Sequence, residues 1–100
     1  MLSTTRQLLS ERRPEILRLA VRSGAYNLRV FGSVARGDDD EQSDIDLLVD
    51  LEAGRSLFDL GGLLTDLTVL LGREVDVVTE RGLRDRLRER ILQEAIPLYG

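Results

Sequence analysis

Hydrophobic and polar positions alternate with two different periods along this chain, and the changes of period mark its elements. Residues 1–23 carry Leu8, Leu9, Ile16, Leu17, Leu19, Ala20 and Val21 with Arg and Glu between them, which is a helical spacing. Thr4 and Gln7 have the spacing of a capping box. Pro14 kinks or restarts the helix near Arg13 and suits a first helical position, and Gly24 stops it. Residues 28–31, Leu-Arg-Val-Phe, read as a short strand. Gly32 to Gly37 reads as a strand-to-helix turn with one helical turn at most, and residues 38–43 as an acidic loop. Residues 45–50, Ile-Asp-Leu-Leu-Val-Asp, form a second strand closed by Gly54.

Ser56 with Asp59 caps a helix over 57–71, whose Leu57, Leu60, Leu63, Leu64, Leu67, Leu70 and Leu71 make a wide stripe that should lie across a sheet. Gly61 and Gly62 weaken that helix and mark a close backbone approach. Gly72 ends it. Residues 74–78 predict a third strand, 83–91 an Arg-rich closing helix, and 95–100 a tail able to add an edge strand. Leu83, Leu87, Ile91 and Leu92 are expected to give the closing helix a core face. The expected order is α-β-α-β-α-β-α on one small sheet, in a single domain over 1–100.

Composition narrows the chemistry. The chain has no Cys and no His, which removes disulfides, His/Cys zinc sites, a Cys nucleophile and a His base. Any metal must be a hard cation on carboxylates. All 14 basic residues are Arg, so a catalytic lysine and a Walker-type P-loop are excluded. The net charge of −4 and four aromatic residues (4%) argue against a nucleic-acid surface. That holds even for the helix carrying Arg84, Arg86, Arg88 and Arg90, which reads as a solvated face or a contact for an acidic partner. No apolar run reaches membrane length and no signal peptide opens the chain, so a cytoplasmic location is expected.

Three features carry chemistry. Asp44 and Asp46 are two apart at the start of a strand, so both carboxylates leave one side while Ile45, Leu47 and Val49 pack inward. Two such charges repel unless a divalent cation neutralises them. Alone, the pair reads more readily as an acidic solvent face than as a metal site. Asp76, between Val75 and Val77, faces the pair if the third strand neighbours the second, or else is an edge-strand charge. Gly32 permits a tight turn out of a strand; Ser33 either caps the next helix or helps its free amides cradle a phosphate. Arg36, one helical turn on, pairs with a phosphate or Asp44, or forms an ion pair that fixes the loop. Asp38, Asp39 and Asp40 read as a solvated loop or a surface for a basic partner, and Asp50 as structural.

Gly32-Ser33, ten residues, Asp44-Ile45-Asp46 and then Asp76 in Val-Asp-Val together resemble the signature of the polymerase-β-like nucleotidyltransferases. Phe31 to Gly37 and Ser43 to Val49 resemble the minimal nucleotidyltransferases, commonly the antitoxins of HEPN-domain toxins. The resemblance implies an α/β (α+β) fold, a small mixed sheet with helices packed on it. It implies Gly32, Ser33 and Arg36 on the triphosphate of ATP, and two Mg²⁺ (or Mn²⁺) on Asp44, Asp46 and Asp76, with Asp76 helping to deprotonate the acceptor. The implied activity is transfer of AMP to a hydroxyl, a tyrosine by preference, of a cognate HEPN toxin in a hetero-oligomer. A chain of 100 residues leaves little room for an acceptor pocket, which favours a partner-borne acceptor. The alternative is an antitoxin that neutralises its partner by binding alone.

Overall fold

The computed structural model describes residues 4–98, and within them the apolar stripes read above meet across a four-stranded mixed sheet. Helices α1 (Thr4–Glu11) and α2 (Arg13–Ser23) are separate, divided where Pro14 enters the first turn of α2. The expected capping box falls on Thr4, whose side chain lies outside the described residues. Strand β1 (Ala25–Phe31) is followed by the five-residue α3 (Gly32–Arg36), β2 (Ile45–Leu51), α4 (Leu57–Leu71) and β3 (Val75–Thr79). A 3₁₀ turn (Glu80–Gly82), α5 (Asp85–Glu94) and β4 (Ile96–Pro97) complete the order.

The sheet order is β3-β2-β1-β4. β2 pairs antiparallel with β1 and parallel with β3, and α4 makes the crossover that a parallel pair requires. Ile45, Leu47 and Val49 of β2 turn to one face, where Ile16 and Ala20 of α2 and Leu63, Leu67 and Leu71 of α4 bury them. The Ser56 hydroxyl accepts from the Phe58 amide and Asp59 accepts from the Ser56 amide, so the predicted cap of α4 is formed.

The opposite face is covered only in part. Phe31, Leu48 and Ile91 form a second, smaller cluster there, with Val78, Leu83 and Ala95 against it. The expected core face of α5 is therefore narrower than its sequence indicates: Ile91 is buried, while Leu87 and Leu92 are exposed.

Three other expectations change. β1 starts at Ala25, not Leu28; Asn27, at φ 53°, produces an irregularity between Tyr26 and Arg29 that hides the first residues from a simple alternation. Leu57 and Val21 stay exposed, outside the core stripes. Gly61 and Gly62 approach nothing: a Cβ at either would enter open space. The tail does add an edge strand, through Val30 paired with Ile96 and Arg29 with Pro97.

Leu63→Ala should cost about 2–5 kcal/mol, because Leu63 is fully buried beneath the sheet. Val69→Ala, on the exposed face of the same helix, should stay within about 0.5 kcal/mol of the parent. Urea denaturation compares the two; equal losses would contradict the placement of α4.

Candidate functional site

The parallel register places Asp46 of β2 directly beside Asp76 of β3. In antiparallel β1, Phe31 is the partner of Asp46, so Gly32 follows immediately next to that carboxylate. These residues share the partly covered face of the sheet, beside the end of α5. Asp44 lies in the loop just before β2, and the Ile45 amide donates to the Glu74 carbonyl (2.9 Å), fixing where that loop enters the sheet.

Gly32 is constrained twice. Its φ of 73° is open to glycine and strained for other residues, and a Cβ there would run into the Asp46 carboxylate. Gly32 is thus buried beneath the acid rather than merely turning the chain. Ser33 does not cap α3, contrary to one reading of the sequence. The helix begins at Gly32, its cap residue is Phe31, and no side-chain cap bond is made. The Ser33 carbonyl instead accepts from the Gly37 and Asp38 amides.

Asp46 binds its proton more firmly than an ordinary carboxylate, with its pKa raised to about 6. Partial burial is the main cause, and the charges of Asp76, Asp44 and Glu94 add to it, against a smaller opposing effect from Arg36. The acids around Asp46 outweigh the opposing charge of Arg36, and an all-oxygen donor set suits a hard divalent cation. Among the described residues no three such side chains already stand as a closed ligand group. Asp44 and Asp76 are exposed, however, and side chains of that kind reorient on fast timescales.

Arg36 meets neither Asp44 nor open solvent alone. It forms ion pairs with Asp38 (3.3 Å) and Glu94 (3.2 Å), which strengthen its hold on its proton, Glu94 first. Asp50 is structural, as expected: it accepts from Asn27 (2.9 Å) and Arg29 (3.1 Å). The acidic loop is more ordered than a solvated run. Asp40 accepts from the Gln42 amide and from the Ser43 hydroxyl, and its pKa is lowered, chiefly by the Gln42 bond.

Sequence reasoning missed the residues that hold these loops. Arg73 donates to the Asp40 and Ser43 carbonyls and to buried Thr5, so it anchors the approach to Asp44. Arg6 donates to the Val34 and Ala35 carbonyls at the end of α3. Glu94 accepts from the Gly32 amide at 3.0 Å. A separate cleft of about 890 Å³ opens at the far end of β2, around Asp50, Arg55, Thr79, Arg81 and Arg88. It contains none of Asp44, Asp46 or Asp76.

Residues 13–99 match the nucleotidyltransferase domain family. A Methanocaldococcus jannaschii protein provisionally named protein adenylyltransferase MJ0435 is 40% identical over 88 residues, spanning 88% of this chain and 95% of that protein. Protein adenylyltransferase MntA of Thermococcus cleftensis is 38% identical over 78 residues, 78% of this chain and 79% of its own. A solved structure of a protein provisionally called a minimal nucleotidyltransferase superposes with a TM-score of 0.83 at 55% identity, covering 93% of this chain and 95% of that one.

The raised pKa has a thermodynamic consequence for the metal-free protein. Between about 4 and about 6 the folded chain keeps a proton on Asp46 that the unfolded chain has lost. Stability should therefore fall as pH rises through that window and stay reduced above it. Asp46→Asn removes this loss: its Tm should exceed the parent's above pH 6, and the difference should vanish towards pH 4. Thermal melts in a chelator check this, and a variant melting below the parent at pH 7.5 would contradict it.

Proposed function

The chain belongs to the nucleotidyltransferase domain family and is an enzyme of that type, and from this premise we propose that it transfers AMP from ATP to a protein hydroxyl. The observation that carries the reading is Asp46 and Asp76 abreast in parallel strands, beside a glycine turn shaped around Asp46. The relatives named as protein adenylyltransferases support the same class of acceptor. In this reading Asp44, Asp46 and Asp76 hold Mg²⁺, which supplies positive charge to the phosphates and acidifies the attacking hydroxyl.

The chain's own groups do the rest. The Gly32 amide and the Ser33 hydroxyl donate to the phosphate tail, and Arg36 neutralises part of its charge. Asp76, exposed on β3, takes up the proton of the acceptor hydroxyl. The acceptor oxygen bonds to the α-phosphorus as the bond to the bridging oxygen breaks, and pyrophosphate leaves. The open sheet face suits an acceptor delivered by a second protein. We assign that role to a HEPN-domain toxin with a tyrosine acceptor, on the motif resemblance around Phe31–Gly37 and Ser43–Val49.

Asp44→Asn, Asp46→Asn and Asp76→Asn should each abolish transfer while preserving the fold, since each removes several kcal/mol of transition-state stabilisation. Intact-mass spectrometry of the co-encoded partner after incubation with ATP and Mg²⁺ reads this out. Gains of one AMP unit or more, lost in the variants, are expected; wild-type rates in the variants would refute the assignment. An unmodified yet inhibited partner would favour neutralisation by binding alone.

Ser33→Ala should weaken binding of a non-hydrolysable ATP analogue by about 0.5–1.5 kcal/mol, and Ser33→Asp by more, because it places a like charge beside the phosphates. Calorimetric titration separates them, and equal affinities would remove Ser33 from the site.

A further inference from the structure

Glu94 already occupies the groups assigned above to phosphate. Its carboxylate accepts the Gly32 amide at 3.0 Å and takes the Arg36 guanidinium on both oxygens, at 3.4 and 3.2 Å. Those are the backbone donor and the cation that a phosphate oxygen would use. The bond to the Gly32 amide is the more shielded half of the contact: the Glu94 side chain is 19% exposed and that of Arg36 44%. It is also unfavourably placed for its own helix. Glu94 is the last residue of α5, where the macrodipole disfavours an anion and no basic residue stands in the last turn. Its negative charge reaches Asp46 as well, adding to an acidic crowd. The helix dipole disfavours a glutamate at this position, and the bonds to Gly32 and Arg36 offset that cost.

We infer that Glu94 is an internal anion that holds the phosphate turn in the nucleotide-free chain and is displaced when the triphosphate binds. The inference rests on the nucleotide reading of the Gly32–Ser33 turn given above. A carboxylate and a phosphate oxygen cannot both accept the single Gly32 N–H in good geometry, so one excludes the other. The displaced side chain loses its charge-assisted bonds to Gly32 and Arg36, and the end of α5 loses its tie to α3. The segment from α5 to β4 is then held by Ile91, Leu83 and Ala95 in the small cluster, by the pairing of Val30 with Ile96 and Arg29 with Pro97, and by the Leu98 amide on the Leu28 carbonyl. Nucleotide binding is thereby coupled to loosening of this segment, and the apparent affinity is reduced by the fraction of chains in which Glu94 is seated.

Calorimetry with a non-hydrolysable ATP analogue and with inorganic tripolyphosphate tests this on the full chain. Glu94→Gln keeps the size of the side chain and removes its charge; Glu94→Ala removes the side chain beyond Cβ. Both should bind each probe about tenfold more tightly than the parent. Amide exchange over residues 91–98 supplies the second readout. It should speed up in the parent on adding the analogue, and should already be fast in nucleotide-free Glu94→Ala. Unchanged or weaker binding by both variants overturns the inference while leaving the nucleotide reading in place. Failure of the parent and both variants to bind either probe overturns the nucleotide reading, and the inference with it.

Discussion

A half-buried carboxylate needs room on one side and something to hold it on the others, and Asp46 has both. Its strand is pinned by Ile45, Leu47 and Val49, each without solvent exposure, and by Leu48 on the opposite face. That packing prevents the acid from swinging towards water by moving its backbone. The room comes from Gly32, the one residue type that leaves space beside the carboxylate in that backbone conformation. Strand and turn are therefore fitted to each other. The same packing that stabilises the domain keeps Asp46 close to Asp76 at a cost in charge repulsion. Placing an uncompensated acid on a well-packed strand concentrates strain at the site rather than distributing it.

The two faces of the sheet divide the labour. α2 and α4 close one face with leucines, isoleucine and alanine, and most of the core lies there. The other face carries Asp46 and Asp76 and the smaller cluster of Phe31, Leu48 and Ile91, with Val78, Leu83 and Ala95 partly buried against it. A site on a thinly covered face remains open to a large partner, whereas a pocket roofed by helices would admit only small molecules.

Much of this was legible in the sequence because it is local. The alternation through Ile45–Asp50, the cap at Ser56, the stop at Gly72 and the restart at Pro14 each depend on residues a few positions apart. Asp46 could be placed on the face opposite Ile45 and Leu47 because period two leaves no choice once the strand is known, whereas Asp44 falls in the loop before that strand. What escaped is non-local. Arg73 reaches Thr5 across 68 residues, Arg6 reaches Ala35 across 29, and Glu94 reaches Gly32 across 62. No periodicity signals such a bond, and an arginine on a charged chain looks like surface until its carbonyl partner is seen. The start of β1 was hidden for a different reason: the irregularity at Asn27 breaks the alternation that marks a strand.

The pairing of β1 with β4 has a kinetic side. Val30 meets Ile96 only after a long stretch of chain has been ordered, and closing so distant a contact carries a larger entropy cost than joining β1 to β2. Non-local pairings of this kind slow folding, and a two-residue strand repays little of that cost until its neighbours are in place. Loop-closure entropy therefore favours the β1–β2 pair over the β1–β4 pair as the earlier contact. By the same reasoning the bond from the Gly32 amide to Glu94, which spans 62 residues, is among the costliest of the chain's contacts to close.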